Sequence, residues 1–180
     1  MVIEVNKINW GKSITVGITA GLVAGLVKLG WENILPPRTP ERDQTNPPQK
    51  MLEQFGVPAQ ITHATYTYSG QQLPWVSYVV HFSFSAGFGV LYSIGGQLAP
   101  WIKKGDGVPF GIAVWDFFHL KLMPLMGTVP AAKDQPLEEH VSEFLGHAIW
   151  MWTIDALIKS KERSQKSPLY QDGKGAWIQN

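Results

Sequence analysis

The sequence predicts an all-α, multi-pass transmembrane bundle of four helices with both termini in the cytoplasm. Three observations carry that prediction. Charged residues make up only 16% of the 180, against roughly a quarter in soluble domains, while aromatic residues reach 12% with eight tryptophans. Apolar residues gather in four blocks, each near the roughly 20 residues that a helix needs to cross a bilayer. Lysine and arginine divide unevenly between the two ends of those blocks. The mean hydropathy of −0.05 is low for such a protein, because polar residues concentrate in one long loop and in the C-terminal tail.

The first block covers residues 13–35. It is uncharged from Ile14 to Val27, with Lys7, Trp10 and Lys12 before it. That order imitates a signal peptide, but no small-x-small cleavage site follows; the next residues are Lys28-Leu-Gly-Trp-Glu32, so the block reads as an uncleaved helix. Gly17, Gly21 and Gly25 recur every fourth residue on one face, which lets another helix backbone approach closely. That face serves packing within the chain or, alternatively, a homo-oligomer. Residues 36–74 are a polar outer loop holding seven prolines, with Met51 to Phe55 as a short interfacial helix. The second block, 75–98, carries one ionisable group, His81. Trp75 and Tyr78 mark its start as a membrane interface, and Pro100, Trp101, Lys103 and Lys104 end it. The third block, 108–129, contains Asp116, His119, Lys121 and Pro124. The fourth, 137–160, contains His140, Glu143, His147 and Asp155. A hydropathy window scores these last two poorly, yet their length suits a crossing. A soluble helical bundle is the competing reading; it would have to expose Phe, Trp and Leu on most sides of its helices. Residues 1–165 thus form one transmembrane domain, and 166–180 a cytoplasmic tail.

Topology follows from the basic residues. Lys7, Lys12, Lys103, Lys104, Lys159, Lys161, Arg163, Lys166 and Lys174 fall on one side; Arg38, Arg42, Lys50 and Lys133 fall on the other. The positive-inside rule places the richer side in the cytoplasm. Composition also excludes chemistry. With no cysteine there are no disulfides and no thiolate metal site, and a net charge of +1 argues against nucleic acid as a partner. The partner implied is the lipid bilayer. No Walker-type glycine loop, Gly-x-Ser-x-Gly or His-Glu-x-x-His occurs, and Gly87-Phe-Gly89 sits in a helix, so it is no nucleotide fingerprint. This points away from an enzyme, and no cofactor is required.

The informative polar feature is depth. His81 lies roughly 9 Å, and His119 roughly 12 Å, from the outer ends of their helices at 1.5 Å per residue. Lys28 and Glu32 sit at the outer end of the first helix, and His140, Glu143 and His147 in the outer half of the fourth. All four helices therefore place ionisable groups in the outer leaflet zone, and the inner half holds only Asp155. Spacing is coherent too. Asp116 and His119 are three residues apart, Glu143 and His147 four, and Lys28 and Glu32 four, which are contact distances on a helix. Charges in hydrocarbon are costly, so these groups should face inward and pair. Three readings follow: hydrogen bonding that fixes the bundle, a proton-responsive or conducting cluster, or a zinc or iron site built from His81, His119, Glu143 and His147.

Several stretches carry a family likeness. Val27-Lys28-Leu-Gly-Trp-Glu32 followed by Leu35-Pro-Pro-Arg38-Thr-Pro40 resembles the first-helix exit of the YagU-like bacterial inner-membrane proteins. His119-Leu-Lys-Leu-Met-Pro124-Leu-Met-Gly127 and the run from Val141 to Trp152 are similar to that family as well. The likeness covers most of residues 14–163. It implies a multi-pass protein of the bacterial cytoplasmic (inner) membrane associated with acid resistance, and it supplies no mechanism. The leading expectation is acid-stress protection through a proton-responsive bundle. A membrane metalloprotein or metalloenzyme is the alternative, and a structural or partner-binding membrane subunit the third.

Overall fold

The computed structural model describes residues 8–166. Helix α1 (Trp10–Ile34) begins where the Asn9 side chain accepts a hydrogen bond from the Lys12 amide at 3.1 Å, and it ends before Pro36 and Pro37. Helix α4 (Trp75–Leu98) is framed by Pro74 and Pro100. These two are long and apolar enough to cross a membrane, with mean hydropathies of 1.6 and 1.3 in their best windows. Between them the outer loop is more ordered than a polar connection implies. It folds into α2 (Pro47–Gln54), α3 (Ala59–Thr62) and a hairpin of β1 (Tyr66–Tyr68) and β2 (Gln71–Leu73), paired antiparallel with Tyr66 opposite Leu73. The described chain is mostly helical, as expected, with this one short hairpin, whose turn is made at Ser69 and Gly70, both with positive φ. The expected Met51–Phe55 helix starts four residues earlier, because Asn46 and Gln49 form a reciprocal capping box and prolines occupy the first helical positions.

After α4, a 3-10 turn (Pro100–Gly107) reverses the chain through positive φ at Gly105, Asp106 and Gly107. Gly107 is required there: a Cβ would stand 2.7 Å from the Tyr92 hydroxyl. The third rod is irregular. Helix α5 (Val108–Trp115) passes into a π-helical stretch, Asp116–Leu122, and ends with α6 (Met123–Leu125). It thus stops four residues short of the expected 129, at Gly127 with its positive φ. Helix α7 (Leu137–Lys166) runs 30 residues, about 45 Å, and continues six residues past the expected end. The tail beyond 166 lies outside the described residues.

Helix α1 packs most extensively against α4 and next against α7, and α5 packs against α7. The α1–α4 contact is backbone on backbone. A Cβ at Gly17 would stand 2.6 Å from Val90 Cα, and one at Gly21 2.7 Å from Ala86 Cα, while Ser85 Oγ donates to the Gly21 carbonyl at 2.5 Å. The glycine face is thus occupied inside the chain. Gly111 does the same for α5 against α7, where a Cβ would meet the His147 carbonyl at 2.5 Å. The buried apolar core is small: Ala20, Ala24, Tyr92, Val114, Trp150, Met151, Ile154 and Ile158. Many large apolar side chains point outward instead, among them Leu22, Leu26, Val79, Leu91, Phe117 and Trp152. Buried positions include Lys28, Glu139, Glu143, His147 and Asp155.

Candidate functional site: a carboxylate between two cations and two imidazoles

Helix α7 repeats Glu139, Glu143 and His147 every fourth residue, and Trp150, Ile154 and Ile158 extend the same face inward. Side chains on that face meet the outer end of α1. Trp31 Nε1 donates to the Ser142 carbonyl at 3.0 Å, and Ser142 Oγ donates to the Leu35 carbonyl at 2.5 Å. These neutral bonds fix where the chain leaves α1, and so where Arg38 falls.

Glu143 is the centre. Its Oε2 accepts from Lys28 Nζ at 3.2 Å and its Oε1 from Arg38 Nη1 at 3.1 Å. Lys28 also pairs with Glu32, one turn along α1. Arg38 Nε reaches Asp43 at 3.0 Å, and Arg42 Nη2 reaches Glu139 at 2.7 Å. Burial works against the charge of Arg38, but the carboxylates of Glu143 and Asp43 outweigh it and hold the guanidinium more firmly charged than usual. Two imidazoles complete the group. His147 Nδ1 lies 3.6 Å, and His119 Nε2 3.8 Å, from Glu143 Oε2, with the two rings 4.9 Å apart and near perpendicular.

The structure therefore brings together His119, Glu143 and His147, with the Lys28–Glu32 pair against them. It places two expected members elsewhere. His81 lines the same cavity, but its Nε2 donates to the Gly25 carbonyl at 2.9 Å, and it is not within the compact trio. Asp116 pairs with Lys121 at 2.5 Å on an exposed face, and among the described residues no ion pair joins it to His119. The π-helical stretch is the reason. A π turn brings residues five apart onto one face, so the three-residue spacing of Asp116 and His119 no longer makes a contact. His140 turns away to the Ala132 carbonyl.

Sequence reasoning missed Arg38, Arg42 and Glu139. A signal existed: two arginines follow the outer end of α1, and by topology they share a side with the acidic start of α7, Glu138 and Glu139. Leaving out the loop arginines and the first turn of the fourth helix hid it.

The ligand atoms of His119, Glu143 and His147 lie within 4.8 Å of one another, close enough to consider a metal ion. The carboxylate and one imidazole nitrogen are nevertheless engaged. Both oxygens of Glu143 face cations, and the nearer nitrogen of His147 donates to the Glu143 carbonyl at 2.8 Å. Below the site, Phe84, Phe88, Phe118 and Trp150 pack ring on ring. On α7 no ionisable group occurs between His147 and Asp155. Asp155 belongs to a separate network at the other end, where it accepts from Tyr92 Oη at 2.8 Å and Lys159 Nζ at 2.7 Å.

A family described as a protein of unknown function, DUF1440, matches residues 22–156. The chain belongs to the DUF1440 family. A relative, the inner membrane protein YagU of Escherichia coli strain K12, is 32% identical over 174 residues, covering 84% of this chain and 85% of the relative. The resemblance drawn from the α1 exit and the α7 motif is thus borne out. No solved structure matches. With two helices fit to cross a bilayer and a relative of that location matched over most of its length, this DUF1440 chain is a membrane protein.

Proposed function

We propose that this protein is a four-helix protein of the bacterial inner membrane that senses acid on the outer side. Its N and C termini would be cytoplasmic, and the cluster around Glu143 would be the sensor. The whole-bundle reading is supported by an inverted polarity. Large apolar side chains face outward on all four rods, while Lys28, Glu143, His147 and Asp155 are buried. Water would penalise that exposed surface; lipid would not. The basic-residue bias supports the orientation.

One observation carries the sensing role: a single buried carboxylate, Glu143, is shared by two cations, with two imidazoles within 4 Å. Around those imidazoles stand Lys28 and Glu32 from α1, Arg38 and Asp43 from the loop, His81 from α4, and Glu139 and Glu143 from α7. With both imidazoles neutral, Glu143 serves Lys28 and Arg38. Protonation of His119 or His147 adds a positive charge beside the same carboxylate. The new cation attracts Glu143 and repels Lys28 and Arg38, so the loop segment that carries Arg38 is released. Histidine is the side chain whose charge changes in mildly acid conditions. The aromatic layer below, with no ionisable group between His147 and Asp155 on α7, favours sensing over proton conduction. The engagement of both Glu143 oxygens favours protons over a metal ion.

The test is acid survival of cells carrying Glu143→Gln. The amide keeps the shape and some hydrogen bonding but cannot ionise. The reading expects a folded, membrane-inserted variant whose acid survival equals that of a strain lacking the protein. Wild-type survival with Glu143→Gln would overturn it.

A further inference from the structure

Beside the charged groups lies a cavity of about 190 Å³ lined by both polar and apolar side chains. Its polar lining is Lys28, His81, His119, Glu143 and His147; its apolar lining includes Phe84, Phe118 and Trp150 with Met51 and Met123. Met51 comes from α2, which closes the outer side. That helix is pinned at both ends by neutral bonds. Ser77 Oγ donates to Asn46 Oδ1 at 3.1 Å, Gln54 Nε2 donates to the Met126 carbonyl at 2.8 Å, and Thr128 Oγ1 donates to Gln54 Oε1 at 2.7 Å.

The polar lining has a defined appetite. His147 uses Nδ1 to donate to the Glu143 carbonyl, and His81 uses Nε2 to donate to the Gly25 carbonyl. A carbonyl only accepts, so in each neutral ring the other nitrogen is a lone-pair acceptor. His119 makes no side-chain hydrogen bond among the described residues; its Nε2 lies 3.8 Å from Glu143 Oε2. His147 is 3% exposed and lines the cavity, so its free nitrogen is available to a donor bound there. The site therefore wants hydrogen-bond donors. It does not want an anion, because Lys28, Arg38 and Arg42 are already paired with Glu32, Glu143, Asp43 and Glu139. The apolar lining wants a flat apolar body, for which aromatic faces and thioethers are suited.

We propose that this cavity binds a neutral ring compound of the bilayer bearing hydroxyl groups, the quinol class, with its ring against Phe84, Phe118 and Trp150 and its hydroxyls donating to His119 and His147. The proposal rests on the membrane reading but not on acid sensing, and no electron transfer is part of it. A bilayer source fits a pocket built between helices whose outer surfaces are apolar.

The experiment uses the full chain in lipid nanodiscs and follows its thermal unfolding against added ubiquinol carrying one isoprene unit, with the oxidised quinone, oleate and zinc chloride as parallel probes. A saturable rise in Tm with the quinol is expected, with weaker binding of the quinone. His119→Leu removes one acceptor, and Met51→Trp fills the cavity from its lid; each should weaken quinol binding roughly tenfold. His119→Leu breaks no side-chain hydrogen bond among the described residues, so it keeps the test valid if Met51→Trp does not fold. An identical rise in both variants, a rise that never saturates, or saturable binding of oleate or zinc in place of the quinol would overturn the proposal. Acid survival of Glu143→Gln is scored separately, so the two readings fail independently.

Discussion

Glu143 shows what one residue does when it is the shared partner of several charges. Removing it leaves Lys28 and Arg38 buried and facing each other without the carboxylate that made their burial tolerable. Breaking such a group from one side is worth about 3–5 kcal/mol, whereas replacing both partners with apolar residues of similar volume is much less damaging. Glu143→Ala is therefore expected to lower the unfolding midpoint in detergent substantially, and Lys28→Met combined with Glu143→Leu to recover part of the loss. Lys121→Ala is the control: its pair with Asp116 is exposed, and such pairs contribute about 0–1 kcal/mol, so its midpoint should barely move. Equal losses in Glu143→Ala and Lys121→Ala would contradict the central place given to Glu143. At this scale the sequence was informative for Lys28, Glu32, Glu143 and His147, because their spacing of four holds on any α-helix. It misled for Asp116, because the spacing rule presumes an α-helix and the chain there winds as π. Arg38 was invisible to a depth argument, since it reaches the site from a loop.

Helices here are held by closeness of backbone more than by a large apolar core. The glycine repeat of α1 was legible as a packing face, and α4 is what it meets. The matching face of α5, at Gly111, was not legible, because a lone glycine carries no period. Gly21→Ala should destabilise the α1–α4 contact by about 1–3 kcal/mol, since a Cβ would press on the backbone of Ser85 and Ala86, which cannot move as a side chain can. Gly30→Ala, with nothing within 4 Å of its Cβ, should be neutral or gain up to about 1 kcal/mol of helix propensity. Thermal unfolding of the two variants side by side checks this; equal midpoints would show that α1 and α4 do not pack as described. The outer loop is the element sequence reading served least. Its prolines signalled interruption, but two of its pieces are ordered by local devices, the Asn46–Gln49 capping box and the Ser69–Gly70 turn, and the long-range Gln54–Thr128 bond ties the first of them down.

For the molecule as a whole, the outward apolar faces and the buried charges describe a protein solvated by lipid, with a polar site near one surface and a separate ion-paired network at the other. Reporter fusions at residues 99–107 and after residue 160 are expected to report the cytoplasm, and fusions within residues 40–70 the outside. The opposite pattern would put the Glu143 site on the cytoplasmic face and end its role as a sensor of outside acid. The most direct measurement is the fluorescence of the full chain in proteoliposomes of known orientation as outside pH is lowered from about 7 to 5, the range in which histidine changes charge, at fixed inside pH. Trp31 and Trp150 flank the cluster: Trp31 bonds the Ser142 carbonyl beside Glu143, and Trp150 packs against His147. A reversible sigmoidal change is expected in the wild type and is lost when His119→Gln and His147→Gln are combined. The same curve in the double variant, or a curve that follows inside pH instead, would contradict the sensing role.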